Sequence, residues 1–139
     1  MFESILVAVD GSKHSDAAFD IAVEMAQKFS SNLFVLNVFP GATGHGLLVS
    51  GVEEDTFMAA GQLILDSYEK KIKKLDLPKV RMLLAKGEVV QKILETAGEV
   101  KCGLIVLGKR GKRGLAEPLL GSVSHKVTSH AECPVLVAR

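Results

Sequence analysis

The chain has no tryptophan, one tyrosine and only two cysteines among its 139 residues. Cys102 and Cys133 form no CxxC motif, so the usual cysteine signatures of a redox motif or a zinc site are absent. We expect both to be small core residues, each lying just before a predicted strand. If those two strands are parallel neighbours, the sulfur atoms come close together. Whether they pair is left open, although cytosolic thiols are normally kept reduced.

The sequence also lacks a long apolar run and a strong net charge. The apolar segment Ile5–Val9 is too short for a signal peptide or a membrane span. A formal net charge of +1 gives no overall attraction to nucleic acid or to an anionic membrane. We therefore expect a cytoplasmic protein whose partners include neither nucleic acid nor membrane.

Residue patterns typical of strong catalysis are missing as well. The four histidines show no metal-ligand spacing, and no Ser/His/Asp or Cys/His arrangement can be identified. Neither the Walker pattern GxxxxGK[ST] nor the dinucleotide pattern GxGxxG occurs. The sequence therefore predicts no metal site, no catalytic residue and no strong catalyst.

What the chain does contain is a regular alternation of five apolar runs and four amphipathic segments of helical period. Strands are predicted over Ile5–Val9, Leu33–Val38, Val80–Ala85, Leu104–Leu107 and Val135–Ala138. The first helix should follow the N-cap Ser12, and the second should span about 53–74. The third helix should follow Gly87-Glu88 and end at Gly98. The fourth helix should open at Gly121-Ser122. This alternation predicts one α/β domain over residues 1–139, a doubly wound five-stranded parallel sheet with helices on both faces.

A glycine-rich loop over residues 41–51 follows the second predicted strand. Ligands of α/β proteins bind at the carboxyl ends of strands, so this loop is either a flap over a site or a plain connection.

A second loop, rich in glycine and cationic residues, lies between the fourth strand and the fourth helix. Gly108, Gly111, Gly114 and Gly121 are expected to permit positive φ angles and to let a ligand approach the backbone amides. The unsatisfied N–H groups of the helix that opens at Ser122 favour an anion. The pattern predicts a phosphate-binding loop, and the alternative is a surface loop that binds nothing.

Four positive charges fall within five residues of this loop, at Lys109, Arg110, Lys112 and Arg113. Either one or two of them reach a triphosphate, or most of them point into solvent. Nucleic-acid binding by this group is disfavoured because no aromatic side chains accompany it.

The glycine spacing of the loop resembles the ATP-binding signature of the universal stress protein family. The resemblance lies in the spacing of these residues. Gly108 is followed, after two residues, by Gly111, and Gly111 is followed, after nine residues, by Gly121-Ser122. Three other segments are also similar to the family: the opening strand with Asp10-Gly11-Ser12, the segment Asn37-Val38 and the closing strand after Cys133. The likeness therefore covers the whole chain. Two positions depart from its pattern, since Lys109 stands where a small polar residue is common and Val89 where proline is common.

The resemblance implies the strand order 3-2-1-4-5, with a ligand crevice between strands one and four. Asp10 and Val38 would hold adenine and ribose, Leu107 and Gly108 would line the pocket, and the loop glycines with Ser122 and Val123 would take the phosphates. The full set of nucleotide-binding candidates is Ala8, Asp10, Gly11, Ser12, Val38, Leu107, Gly108, Lys109, Arg110, Gly111, Gly121, Ser122, Val123 and Ser124.

Two functional hypotheses follow. The favoured one is a stress-response or signalling protein that binds ATP or AMP, with any Mg²⁺ held mainly by the phosphates and with slow ATP hydrolysis at most. The alternative is a nucleotide-independent interaction module of the same fold, and an adenine-linked cofactor enzyme is weaker still. In either of the first two cases we expect a homodimer paired through the edge strand 134–138, which carries no charge before Arg139.

Overall fold

The computed structural model describes residues 1–41, 51–110 and 120–139. Five strands and four helices alternate along the chain: β1 (Ser4–Ala8), α1 (Lys13–Phe29), β2 (Asn32–Phe39), α2 (Gly51–Ile72), β3 (Lys79–Lys86), α3 (Val89–Glu99), β4 (Leu104–Gly108), α4 (Ser122–His130) and β5 (Val135–Ala138). The predicted loop over 41–51 has residues 42–50 outside the described part of the chain, and Gly51 already belongs to α2.

The strands form one parallel sheet in the order β3-β2-β1-β4-β5, which confirms the predicted fold and strand order. β1 lies at the centre, where Ile5 pairs with Leu33 of β2 on one side and with Leu104 of β4 on the other. The chain direction across the sheet therefore reverses between β1 and β4, which is where a ligand crevice is expected in such a sheet.

Alternate residues of the central strands pack on opposite faces of the sheet. Val7 and Val106 belong to the core under α1 and α2, together with Phe19 and Tyr68. The residues next to them in the strands belong to the core under α3 and α4, which includes Leu6, Ile105, Ile93 and Val127. Burial on both faces explains why these strands are continuous apolar runs without polar alternation.

The end of α3 differs from the prediction. Gly98 lies inside the helix, which continues to Glu99 and is capped by Val100. The left-handed residue that follows is Lys101, with φ of 50°. A Cβ at position 98 would have no atom within contact distance, so the glycine there is required neither by space nor by backbone angle.

The two cysteines lie where the parallel-neighbour argument places them. Their sulfur atoms are 3.8 Å apart at the amino ends of β4 and β5, and both are free thiols. Burial, followed by the neighbouring Cys133, raises the pKa of Cys102 to about 12. Within the described ranges, no helix is both long and apolar enough to cross a membrane.

Candidate functional site

The turn between β1 and α1 is built by side chains that bond to its own backbone. Asp10 Oδ1 accepts a 2.9 Å hydrogen bond from the amide of Ser12, and Gly11 between them takes a left-handed φ of 83°. Ser12 is the N-cap of α1, as predicted, and its hydroxyl accepts from the amide of Ser15. Asp10 thus has a structural role in the turn, and its ligand role stays a prediction.

Ser15 and Tyr68 support this turn, and the sequence analysis did not identify either as part of a site. The amide of Asp10 donates to Ser15 Oγ at 2.9 Å, and the Ser15 and Tyr68 hydroxyl oxygens are 2.9 Å apart. Tyr68 in turn donates to Asp16 Oδ1 at 2.5 Å. For Ser15 the sequence offered one signal of such a role: it stands at the third helical position, where side chains commonly bond back to the helix start.

The end of β2 is tied to the end of β1. Asn37, which is buried, donates from Nδ2 to the carbonyl of Val9 at 2.8 Å, and the amide of Val9 donates to the carbonyl of Leu36. These bonds bring the partly buried Val38 to the same end of the sheet as Asp10. The sequence analysis named Asn37 only as part of the resemblance and assigned it no role, although a polar residue inside an apolar run was a signal for one.

At the end of β4, Gly108 packs directly against the first turn of α1. A Cβ on Gly108 would lie 2.6 Å from the carbonyl carbon of His14, which is impossibly close. The φ of Gly108 is not positive, so the expectation of a positive φ at this position was wrong. Position 108 must be glycine because two backbone segments are in contact there. This contact joins the β1–α1 turn to the loop that follows β4.

The carbonyl of Lys109 holds the start of α4 onto the end of β4. It accepts from the amide of Gly121 at 2.8 Å and from the buried hydroxyl of Ser124 at 2.7 Å. The amide of Lys109 donates to Ala138 at the end of β5, so the loop is anchored on both sides. Ser124 therefore serves this anchor, and its predicted role on a nucleotide stays a prediction.

Gly121 is a glycine for reasons of space. Its φ of −63° is one that any residue adopts, so a positive φ was a wrong expectation here too. A Cβ at this position would lie 2.9 Å from the Lys109 oxygen and 3.2 Å from the Arg110 Cα. The close approach of two backbone segments, rather than backbone strain, excludes larger residues.

The first turn of α4 presents backbone donors of the kind that suit an anion. Gly121 is its N-cap and gives it no side-chain hydrogen bond, so the amides of residues 122–124 are the donors at the positive end of the helix dipole. Ser122 is exposed and adds a hydroxyl, and Lys109 and Arg110 lie partly buried beside the helix start. The predicted phosphate-binding residue Gly111, the loop glycine Gly114 and the cations Lys112 and Arg113, whose role was left open, lie outside the described residues.

The structure thus brings three predicted segments to one end of the sheet. They are the β1–α1 turn, the β4 end and the α4 start, and they contact one another through His14, Gly108, Lys109 and Gly121. Among the described residues there is no group of three or more His, Cys, Asp or Glu side chains that could hold a metal ion. The groups available here are hydrogen-bond acceptors at the Asp10 turn and hydrogen-bond donors at the start of α4.

Comparison with known proteins agrees with the fold. The family model described as the universal stress protein family matches residues 1–139. Universal stress protein YxiE of Bacillus subtilis is 34% identical, with all of both chains covered. The structure of universal stress protein UspA from Lactobacillus plantarum has a TM-score of 0.89 at 28% identity, covering 99% of this chain and 98% of that one.

Two similar solved structures contain a ligand. A universal stress protein in complex with cAMP has a TM-score of 0.75 and 27% identity, covering 99% of this chain and 97% of its own. The universal stress protein of Archaeoglobus fulgidus in complex with dAMP has a TM-score of 0.74 and 25% identity, covering 99% and 98%.

Proposed function

The chain belongs to the universal stress protein family, and we propose that it binds an adenine nucleotide, ATP or AMP, at the carboxyl end of its sheet. Related structures in complex with cAMP and dAMP support adenine as the base. The protein would act as a stress-response or signalling component whose state depends on the bound nucleotide.

One observation carries the proposal, namely the double hydrogen bond to the carbonyl of Lys109. Because Gly121 and Ser124 both donate to that oxygen, the amino end of α4 is fixed beside the end of β4. The helix start then lies beside the end of β4, where Gly108 contacts the first turn of α1. A nucleotide across this point would meet hydrogen-bonding groups along its whole length.

The two sides of the site would have different tasks. Asp10, Val38 and Leu107 would hold the adenosine part, since a carboxylate accepts hydrogen bonds from ribose hydroxyls or from the adenine amino group. The amides and hydroxyl at the α4 start, with Lys109 and Arg110, would hold the phosphates by donating to their oxygens. Any Mg²⁺ would be held mainly by the phosphates themselves.

The bound nucleotide would act as a ligand and at most as a slowly hydrolysed substrate. The proposed contacts are to base, ribose and phosphate oxygens, and none of them assigns a general base to an attacking water. The free thiols of Cys102 and Cys133 suit a reducing compartment, so the cytoplasm is the proposed location.

We also propose that the protein works as a homodimer paired through β5. The opposite edge strand, β3, carries the exposed cations Lys79 and Arg81, which discourage pairing with another strand. β5 carries only Val135, Leu136, Val137 and Ala138. Antiparallel pairing of two β5 strands about a two-fold axis would cover both of these apolar edges.

Retention of nucleotide through purification tests the proposal. The protein has no tryptophan and one tyrosine, so adenine would dominate its near-ultraviolet absorbance. Acid extraction followed by chromatography would identify the nucleotide and its phosphate number. Absence of bound nucleotide, together with no binding of added ATP or AMP, would contradict the proposal.

A second candidate function, an interaction module independent of nucleotide, is favoured by one feature of α2. Phe57, Met58 and Leu63 are large apolar side chains with 41%, 44% and 70% of their surface exposed. Leu63 lies together with the exposed Ala59 and Ala60 on the outer side of the helix, and contiguous exposed apolar surface is typical of a protein contact surface. This candidate predicts that partner binding is unchanged when no nucleotide is present.

A further inference from the structure

A short series of hydrogen bonds connects α2 to the backbone of Asp10. The hydroxyl oxygens of Ser15 and Tyr68 are 2.9 Å apart, and the amide of Asp10 donates to Ser15 Oγ at 2.9 Å. Tyr68 Oη donates to Asp16 Oδ1 at 2.5 Å. Ser15 is 4% exposed and Tyr68 is 1% exposed, so water competes little for the bond between these two residues, whereas the side chain of Asp16 is 45% exposed.

The chemistry of the groups sets the direction of each bond. A tyrosine hydroxyl has one hydrogen, and the Asp16 carboxylate accepts it. Ser15 must therefore donate its own hydrogen to Tyr68 and use a lone pair to accept the amide of Asp10. Every donor in the series has one partner, and bonds arranged head to tail in a poorly hydrated place strengthen one another.

The ring of Tyr68 is held independently of its hydroxyl. It packs against the ring of Phe19 on α1 with centroids 4.7 Å apart. Lys71 lies 4.9 Å from the ring centroid and 3.8 Å from Asp16 Oδ1. Removal of the hydroxyl alone therefore leaves the ring in place and deletes only the link to Ser15 and Asp16.

We infer that Tyr68 is a positioning residue for the nucleoside side of the site: through Ser15 it fixes the backbone of Asp10, without contacting the ligand. This inference rests on the proposed nucleotide binding. It assigns to α2, which supplies none of the predicted site residues, control over how tightly adenosine is held. The phosphate side, which is fixed by Lys109 and α4, lies outside this series of bonds.

Calorimetric titration of Tyr68→Phe with adenosine and with ATP tests the inference. Loss of one buried hydrogen bond predicts that affinity for both ligands falls by the same factor, about three- to tenfold. The ratio of ATP affinity to adenosine affinity should stay at the wild-type value, because the phosphate contacts are unchanged. A merely structural role for Tyr68 does not predict this equal loss.

Ser31→Ala is the matched control for lost stability. The Ser31 hydroxyl is fully buried and donates to the carbonyl of Phe2, at the amino end of the sheet and away from the site. This variant should lose stability but keep wild-type affinity for both ligands. Equal affinity losses in Ser31→Ala and Tyr68→Phe would assign the effect to general destabilisation and overturn the inference.

Ser15→Ala supplies a second variant in case Tyr68→Phe folds poorly. It breaks the same series at its middle, so it should reduce adenosine affinity to a similar extent. The double variant should lose little more than either single variant, because residues that act as one unit are not additive. Independent, additive losses would show that Tyr68 does not act through Ser15.

The outcomes separate this inference from the function on which it depends. If the wild type binds neither adenosine nor ATP, both proposals are overturned. If the wild type binds both ligands and Tyr68→Phe binds them equally well, only the positioning role is overturned.

Discussion

The amide of Gly121 donates a 2.8 Å hydrogen bond to the carbonyl oxygen of Lys109. Together with the hydrogen bond from Ser124 to the same oxygen, this contact joins the start of α4 to the end of β4, and its closeness leaves no room for a side chain at position 121. Because the Gly121 amide is used in this way, the donors left for a phosphate are those of residues 122–124. Phosphate binding in this protein would therefore depend on how accurately two backbone segments are held together.

Substitution of Gly121 should consequently weaken ATP binding without weakening adenosine binding. A Cβ would lie 2.9 Å from the Lys109 oxygen, so Gly121→Ala displaces the helix start and Gly121→Val displaces it further. We expect ATP affinity to fall roughly tenfold or more in the valine variant, which is about 1.4 kcal/mol. Ser122→Ala keeps the backbone and removes one exposed hydroxyl, so it should cost only about 0.5 to 1.5 kcal/mol. Calorimetric titration measures both variants, and a larger loss in Ser122→Ala would contradict the spatial role of Gly121.

Asp10→Ala should weaken adenosine and ATP binding alike, by about 1.5 to 3 kcal/mol, since a bond to a charged acceptor is lost. It should also lower the free energy of unfolding by about 0.5 to 1.5 kcal/mol, because Asp10 Oδ1 accepts from the amide of Ser12. Asp10→Asn is the matched control, since its side-chain oxygen can keep that turn bond while the charge is removed. If the asparagine variant binds like the wild type, the turn rather than the carboxylate charge accounts for the effect.

Part of the fold and of the candidate site could be predicted from the sequence. The N-cap at Ser12 and the opening of α4 at Gly121-Ser122 were predicted from local patterns, whereas the strand order was implied by the family resemblance. The structure confirms all three. The sequence predicted only in part why positions 108 and 121 are glycine. Each depends on a backbone that approaches from a distant part of the chain, and glycine in a sequence indicates small size without indicating what comes close to it. The Ser15–Tyr68 bond was not predictable, because these residues are 53 positions apart and no periodic pattern relates them.

Dimerisation should depend on the outer backbone of β5. The carbonyls of Pro134 and Ala138 accept from β4, so by the two-residue period of a strand the backbone of Val135 and Val137 faces the open edge. Val137→Pro should give a monomer by removing an outward donor, whereas Val137→Thr keeps that donor and should remain a dimer. Sedimentation or light scattering at micromolar concentration measures the mass. A monomeric wild type, with or without ATP, would exclude the dimer.

The pKa of Tyr68 predicts how stability changes at alkaline pH. Burial, followed by the hydrogen bond to Asp16, raises the pKa of Tyr68 well above its ordinary value of 10. In the unfolded chain the phenol ionises near pH ~10, while in the folded protein it stays protonated. Its contribution to stability is therefore fully present below about pH 10 and is lost as the pH rises from there towards the raised pKa.

Tyrosinate absorbance of the folded protein, compared with urea midpoints measured at the same pH values, checks this expectation. Tyr68→Phe should show a weaker loss of stability on the alkaline side than the wild type. Tyrosinate formation near pH ~10 in protein that is still folded would contradict the buried hydrogen bond.

The most direct test of nucleotide binding is a calorimetric titration of the wild type with ATP, AMP and adenosine at low and high salt. Since most of the proposed donors and charges address phosphates, affinity should rank ATP above adenosine. The preference for ATP should shrink as ionic strength rises from about 50 to 300 mM, because Lys109 and Arg110 act through screened charge. Equal affinity for ATP and adenosine, insensitive both to salt and to Gly121→Val, would contradict the account and leave the interaction module in its place.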